Sequence, residues 1–286
     1  MSVLQIKNSV IIINKPPGHS SHEITTFVKK ITSATRSGHA GTLDPDVSGV
    51  LPVALGRATK LLRYIAGKDK TYVGIIKFKK ELAKEEIEKL FSEFTGELIQ
   101  TPPKVSAVRK VPRKRTVYYL KLIEIGGRGH LALFETRVDA GTYIRTLCED
   151  IGKKCGGARM EELRRIAVGK INEKEAVTMQ QLIDAMWLYE KKNDASELQK
   201  MLKEPETMID LPKALIKESA LKSILSGAQV MIPAIEKMDA SIKSGERVAI
   251  YCGNLFIGIG IAQVSQKELD KKKGIAIKLE RVQVTR

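Results

Sequence analysis

The segment Gly38-His39-Ala40-Gly41-Thr42-Leu43-Asp44-Pro45, continued by Ser48-Gly49-Val50-Leu51-Pro52, sets one carboxylate in a turn built from glycine and proline. Glycine admits positive φ and lets another group approach the backbone closely. The proline biases Asp44 toward extended dihedrals. Apolar runs on either side, Val10 to Ile13 and Val50 to Leu55, read as strands. By itself Asp-Pro is an ordinary turn in which the aspartate caps its own backbone. The alternative is a carboxylate held on a tight scaffold as a nucleophile or a base.

Working outward, Asn14-Lys15-Pro16-Pro17-Gly18 ends the first strand in a turn. Ser20 and Glu23 form a capping box for a helix whose apolar face carries Ile24, Phe27, Val28 and Ile31. Ala58 to Ile65 reads as a helix, Thr71 to Phe78 as a strand with Tyr72 at its start, and Glu85 to Phe94 as an amphipathic helix stopping at Gly96. Val117 to Ile125 and Leu131 to Val138 pair across a glycine-rich turn. Thr142 is expected to cap a helix with Ile144, Leu147, Cys148 and Ile151 inward. Arg145 then lies on its first turn, either exposed or reaching a carboxylate in a cleft. Met179 to Tyr189 is a further helix, and Lys191 to Glu206 reads as a polar linker with one weak helix, Leu198 to Leu202. Beyond it short strands dominate: Gln229 to Ile232, Arg247 to Tyr251, Leu255 to Val264 and Ile275 to Val284. Helices are expected at Ser219 to Leu225 and Gln266 to Lys272, in a small, barrel-like, mainly β domain.

With 286 residues and 43% hydrophobic content the chain can bury two cores. Its 49 Lys and Arg against 33 Asp and Glu leave a formal charge of +16, which points to a polyanionic partner, nucleic acid first. Basic residues gather in three groups: Arg109 to Arg115 around Val111-Pro112, expected as an exposed loop or arm; Lys77, Lys79 and Lys80; and Arg159, Arg164, Arg165 and Lys170. Together they favour sequence-independent phosphate contacts. Three cysteines without Cys-x-x-Cys spacing indicate neither a disulfide framework nor a zinc site, and a reducing compartment is expected. His19 and His22 lack a third ligand nearby, so no metal is expected. Gly258-Ile259-Gly260 lacks the third glycine of a dinucleotide fingerprint and reads as close strand packing. With no signal-peptide core and no apolar run long enough to span a bilayer, the reading is a soluble, intracellular, cytoplasmic protein without membrane contact.

Lys15-Pro16-Pro17-Gly18-His19-Ser20-Ser21, then Gly-Thr-Leu-Asp-Pro-x-x-x-Gly-Val-Leu-Pro-Val around Asp44, Lys70-Thr71-Tyr72-Val73, Gly141-Thr142-Tyr143-Ile144-Arg145-Thr146-Leu147 and Glu162-Leu163-Arg164-Arg165 follow one another in an ordered series. The series resembles the TruB-type pseudouridine synthases. Pro102 to Arg109 leading to Val117-Tyr118-Tyr119, with Thr42 beside Leu43-Asp44, resembles the archaeal dyskerin-like branch, the catalytic subunits of box H/ACA guide ribonucleoproteins. Leu211 to Val284 resembles an RNA-binding PUA domain.

The resemblance implies an α/β (α+β) catalytic domain with a mixed, mainly antiparallel sheet over residues 1–205, and a β-barrel-like PUA domain over 206–286. It implies that a uridine is flipped out of RNA, its glycosidic bond broken, and the base rejoined through carbon, without cofactor or metal. Asp44 matches the essential aspartate, Tyr72 the tyrosine stacking on the flipped base, and Arg145 the arginine pairing with the aspartate. His39, Tyr143 and Leu163 match positions lining the uridine pocket, and Lys15 a lysine supporting the loop. Gly41, Thr42 and Arg164 fall on the implied substrate and RNA surface.

The implied partners are a box H/ACA guide RNA, ribosomal or transfer RNA substrate, a small Nop-family protein, a Gar-type protein and a kink-turn-binding ribosomal-type protein. Two other readings stay open: guide-independent modification of the tRNA T-arm uridine, and a non-catalytic RNA-binding or assembly protein. Ala40 stands where that branch usually has glycine, His19 where proline is commoner, and Ile166-Ala167-Val168-Gly169-Lys170 where it usually shows Thr-Arg-x-Gly-Pro, one basic residue fewer. The chain begins almost at the first strand, so an N-terminal extension of the kind archaeal relatives pack on the PUA domain is not expected.

Overall fold

A computed structural model describes residues 6, 8–102, 109–270 and 273–282. The parts of the sequence reading that fall on 103–108, on 271–272 and beyond 282 lie outside the described residues. The chain divides between Pro205 and Glu206 into two compact units.

The first unit carries one large sheet. Its strands are β1 (Val10–Lys15), β2 (Ser37–His39), β3 (Ser48–Leu55), β4 (Lys70–Phe78), β5 (Gly96–Gln100), β6 (Arg113–Gly126), β7 (Leu131–Val138), β8 (Ala158–Val168), β9 (Ile171–Asn172) and β10 (Leu202–Lys203). They lie in the order β10-β1-β3-β8-β4-β7-β6-β5, with β2 on β3 and β9 on β8. Among the described residues every ladder of this sheet is antiparallel except β3 with β8. Six α-helices accompany it among the described residues: α1 (Ser21–Ile31), α2 (Leu62–Ala66), α3 (Lys84–Glu93), α4 (Ile144–Lys154), α5 (Met179–Lys192) and α6 (Ser196–Met201).

Two cores result. Ile11, Ile13, Leu51, Val53 and Leu55 of β1 and β3 pack with Ile24 and Val28 of α1, Leu182 and Met186 of α5, and Leu198 of α6. Ile76, Phe134, Val138 and Leu120 of β4, β7 and β6 pack with Ile87 and Phe91 of α3 and Leu147 and Ile151 of α4. The parallel β3–β8 contact is the seam where the two halves of the sheet meet.

Strand β8 is absent from the sequence reading. Five charged side chains in Ala158–Val168 hide any alternation, yet it is a central strand between β3 and β4. Three of its charges are neutralised locally: Arg159 with Glu161, Lys77 with Glu161, and Arg164 with Glu173. The expected basic arm is also corrected, since Arg113, Lys114 and Arg115 belong to β6 and pair with β5. The expected linker is packed instead: Leu198 is buried and β10 pairs with β1 at Val10↔Lys203 and Ile11↔Leu202. In α1 the capping box at Ser20 forms as expected, but Phe27 is exposed, while Ser21 and Thr25 are buried beside Ile24 and Val28.

The second unit holds β11 (Lys213–Ile216), α7 (Glu218–Leu225), β12 (Val230–Met231), β13 (Ile235–Met238), β14 (Arg247–Cys252), β15 (Leu255–Ala262) and β16 (Ile275–Val282). Its sheet runs β12-β16-β15-β14-β11-β13 and curls toward closure around Ile216, Val248, Ile250, Ile257 and Ile277. Strands β11 and β13 were not expected, being four residues each; of the expected helix after Val264 only the short turn Gln266–Glu268 is present in the described residues. Gly260 is a close-packing glycine, as read: a Cβ there would lie 2.4 Å from Ile277 Cγ2.

Candidate active site

The Asp44 turn joins β2 to β3 and is pinned from three directions. Lys15, fully buried at the end of β1, donates from Nζ to the carbonyls of Pro16 (2.8 Å), His19 (2.6 Å) and Pro45 (2.8 Å). All three ammonium protons are thus used, and burial still pushes the Lys15 pKa below its ordinary value despite nearby Asp46 and Asp44. From α1, the Ser21 hydroxyl accepts from Leu43 N (2.8 Å) and donates to Leu43 O (2.9 Å). This is why α1 presents serine and threonine to the interior at one turn's spacing. Thr25 Oγ1 donates to Ser21 O (2.7 Å) and so accepts from His39 Nδ1 (3.0 Å), leaving His39 Nε2 to accept from Thr42 Oγ1 (3.1 Å). That neutral tautomer agrees with the lowered His39 pKa, set first by burial and then by the Arg165 guanidinium. Ala40 is fully buried without positive φ, its N–H bonded to Pro52 O (2.9 Å), so the turn accepts alanine there.

The third constraint comes from β8. Gly49 has φ +108° and faces Arg165 across the parallel ladder; a Cβ there would lie 2.1 Å from Arg165 O. Glycine is therefore what lets β3 and β8 close on each other beside the turn. Gly74 in β4 does the same for Leu163: a Cβ would lie 2.8 Å from Leu163 Cδ1 and 2.7 Å from Phe134 Cζ.

Asp44 is half exposed and meets Arg145, whose Nη2 donates to Asp44 Oδ2 at 2.5 Å. Of the two readings of Arg145, the one that reaches a carboxylate is observed. The helix carrying it starts later than expected: Tyr143, not Thr142, is the N-cap, and it makes no side-chain cap bond. Thr142 is buried, with its hydroxyl unpartnered among the described residues. The cap is held instead by Gln100 at the end of β5. Its amide accepts from Tyr143 N (2.9 Å) and donates to Tyr143 O (3.2 Å), 43 residues away in sequence. Asp139 secures the start of the same segment through Thr116 N (2.9 Å) and Tyr118 Oη (2.7 Å).

Tyr72 is 8% exposed and lies opposite Arg165 in the β4–β8 ladder, and Leu163 packs against the core that contains it. Thus Asp44, Arg145, Tyr72, Tyr143, Leu163, His39, Lys15, Gly41 and Thr42 belong to elements that converge on the β3–β8 seam. Arg164 does not join them: it projects to the other face of β8, with Nε on Glu173 (2.9 Å) and Nη1 on Asn14 Oδ1 (3.1 Å). Its neighbour Arg165 does, 1% exposed, with Nε on Val50 O (2.8 Å) and Nη2 on Gly41 O (2.8 Å). Alternation along a strand would have separated the two arginines, had β8 been read as one. Lys70, likewise missed, is buried beneath Gly41, donating to Ala66 O (2.6 Å) and Lys68 O.

Family models for the N-terminal domain of TruB family pseudouridylate synthases match residues 29–85, for the C-terminal domain of tRNA pseudouridylate synthase B residues 145–210, and for the PUA domain residues 212–283. A curated protein of Nanoarchaeum equitans, named probable tRNA pseudouridine synthase B, is 42% identical across 97% of this chain and 80% of its own length. The chain belongs to the TruB family of pseudouridine synthases. A protein of the same name from Pyrobaculum aerophilum is 42% identical over 98% of the chain and 85% of its own. Two solved structures are similar throughout. A Cbf5-Nop10-Gar1 complex matches with TM-score 0.92 and 38% identity, over 100% of this chain and 88% of that one. An H/ACA ribonucleoprotein bound to a substrate RNA containing 2'-deoxyuridine matches with TM-score 0.90 and 37% identity, over 99% and 87%.

As a TruB-family enzyme the chain is an RNA pseudouridine synthase with a PUA domain, and the expected catalytic architecture, mixed sheet plus barrel-like module, is the one observed. Among the described residues no group of His, Cys, Asp and Glu could hold a metal, and no helix is long and apolar enough to cross a membrane.

Proposed function

We propose that this pseudouridine synthase is the catalytic subunit of a box H/ACA guide ribonucleoprotein, and that Asp44 is its essential reacting group. The observation that carries the site assignment is the Asp44–Arg145 contact at 2.5 Å, on a turn locked by Lys15 and Ser21 beside Tyr72. A rigid carboxylate meets a flipped nucleotide without reorganising its own loop. Arg145 orients it, and Tyr72 and Leu163 supply a wall for the extruded base, whose unstacking costs a few kcal/mol. Stacking on an aromatic ring returns about 1–3 kcal/mol of that. His39, Tyr143, Thr42 and Gly41 complete the pocket.

The reaction conserves atoms. The N1–C1′ bond breaks, the base turns, C5 bonds to C1′, the C5 proton leaves and N1 ends protonated. Asp44 serves either the sugar or the base in this sequence. Guide dependence is supported by the full-length likeness to the two complexes, one holding Nop10 and Gar1 and the other a substrate RNA. Beside those small proteins, the family likeness supports a guide RNA and a kink-turn-binding ribosomal-type protein as partners, with ribosomal RNA as substrate. The domain limits 1–205 and 206–286, and a cytoplasmic location, belong to the same proposal.

A second reading, guide-independent action on tRNA, is favoured by the name of the curated relatives. Mapping pseudouridine with and without guide RNA decides. Product on guided RNA only in the reconstituted complex, abolished by Asp44→Asn with RNA affinity kept, supports the proposal. Product on unmodified tRNA from the lone protein supports the second reading. Activity in Asp44→Asn would refute the assignment of Asp44, and product from neither preparation would leave an RNA-binding role.

A further inference from the structure

Arg165 is a buried cation without an ionic partner. Its hydrogen bonds go to two backbone carbonyls, Tyr72 lies directly opposite it in the β4–β8 ladder, and no carboxylate pairs with it among the described residues. Lys70, also buried, lies alongside: a Cβ on Gly41 would lie 3.2 Å from Arg165 Nη1 and 3.4 Å from Lys70 Cε. Burying one unpaired cation is costly and burying two adjacent ones more so. Packing alone gives no reason for the arrangement, because a long apolar side chain would fill the same volume without the charge.

The position of Arg165 supplies a reason. Val50 O belongs to β3, Gly41 O to the Asp44 turn, and Tyr72 to β4, directly across the β4–β8 ladder. The planar guanidinium donates to the first two in fixed directions and sits opposite the third, which a lysine ammonium on a flexible stem does not reproduce. Gly41 must be glycine at φ +76° to sit directly on it. We propose that Arg165 is a positioning residue for the reaction: it couples the Tyr72 hydroxyl to the Asp44 turn, so that the base-facing wall and the carboxylate hold one fixed separation. Its uncompensated charge, with that of Lys70, also makes the floor of the pocket positive, where a base that has lost its glycosidic bond carries negative charge.

The inference rests on the reading of Asp44 and Tyr72 given above, and the test separates the two. Single-turnover pseudouridine formation is measured in the reconstituted guide complex for wild type, Arg165→Lys, Tyr72→Phe, the double variant and Asp44→Asn, with RNA affinity and melting temperature alongside. Arg165→Lys keeps charge and most of the volume and loses the planar fork. The expected result is a rate about 10- to 100-fold below wild type at unchanged RNA affinity, since displacements near 1 Å at a reacting centre have effects of this size. In the Tyr72→Phe background, which keeps the ring and removes the oxygen, the same substitution costs at least threefold less than in wild type. A folded Arg165→Lys at wild-type rate, or penalties that simply multiply in the double variant, overturns the inference. If Arg165→Lys lowers the melting temperature and the rate together, the double variant decides, because a general loss of folding is independent of the Tyr72 oxygen. Activity in Asp44→Asn marks failure of the underlying reading instead.

Discussion

Gly49 and Gly96 share one backbone conformation, φ +108°, in opposite surroundings. A Cβ on Gly96 meets nothing within 4 Å, whereas a Cβ on Gly49 lies 2.1 Å from Arg165 O and 2.9 Å from Arg165 N. Alanine at either position carries the same backbone penalty, about 1–3 kcal/mol. At Gly49 the strands must also part by roughly 1 Å, because both colliding groups are backbone and neither can rotate away. The parting strains the Arg165 bonds to Val50 O and Gly41 O, each worth about 1.5–3 kcal/mol as charged hydrogen bonds. Gly49→Ala is therefore expected to destabilise the first unit by about 3–6 kcal/mol more than Gly96→Ala, a large share of a domain's whole stability. The sequence has one tryptophan, Trp187, and it lies in α5, so fluorescence during urea unfolding reports that unit alone. Pseudouridine formation should be lost in Gly49→Ala and kept in Gly96→Ala. Urea midpoints that place the two variants within about 1 kcal/mol of each other would refute the claim that close approach of β3 and β8 builds the site.

Gln100→Leu removes both bonds to Tyr143, each worth about 0.5–1.5 kcal/mol, while the Tyr143 carbonyl keeps its bond from Leu147 N (3.0 Å). Because Arg145 follows two residues on, single-turnover rate should fall with RNA affinity unchanged; an unaltered rate would show that the clamp does not matter to the site. Ser21→Ala deprives Leu43 of both its donor and its acceptor partner and is expected to cost about 2–4 kcal/mol by thermal unfolding, with Ser21→Cys no adequate substitute. Burial, with Arg165 adding to it, pushes the Lys70 ammonium down to about 8. Between that value and the ordinary lysine range the unfolded chain holds the extra proton, so stability rises with pH there by about 1.4 kcal/mol per unit and is lost as pH falls. Lys70→Met removes this slope. The stability difference between wild type and variant should shift by about 3 kcal/mol in favour of wild type from pH 7.5 to 10.5 in urea titrations, and a constant difference would contradict it.

Local patterns were legible wherever one chemical signal dominates. The β-branched runs of β1, β3 and β4, the capping box at Ser20 and the Asp44-Pro45 turn all follow from short-range preferences that tertiary contacts reinforce. Strand β8 was not legible, because Arg159 and Arg164 are paired with Glu161 and Glu173 only after folding, so the sequence shows polarity where the structure has a central strand. The cap of α4 was misplaced for a related reason: Thr142 has the preferred chemistry, but Gln100, distant in sequence, holds Tyr143 in its place.

The order of motifs around Asp44, Tyr72, Tyr143 and Arg145 was enough to assign the family, because each motif carries its chemistry in a few adjacent residues. Which arginine lies under the Asp44 turn was decided only by the tertiary structure. Arg164 and Arg165 are adjacent, identical in type and equally basic on paper. The pleat of β8 sends one to Glu173 at the surface and the other beneath Gly41, and the pleat has no local signature in so charged a strand. Gly49 is the counterpart case. Its glycine is visible in the sequence, but the carbonyl that forbids any other residue belongs to a strand more than a hundred residues away, and it comes within reach only when the two halves of the sheet join.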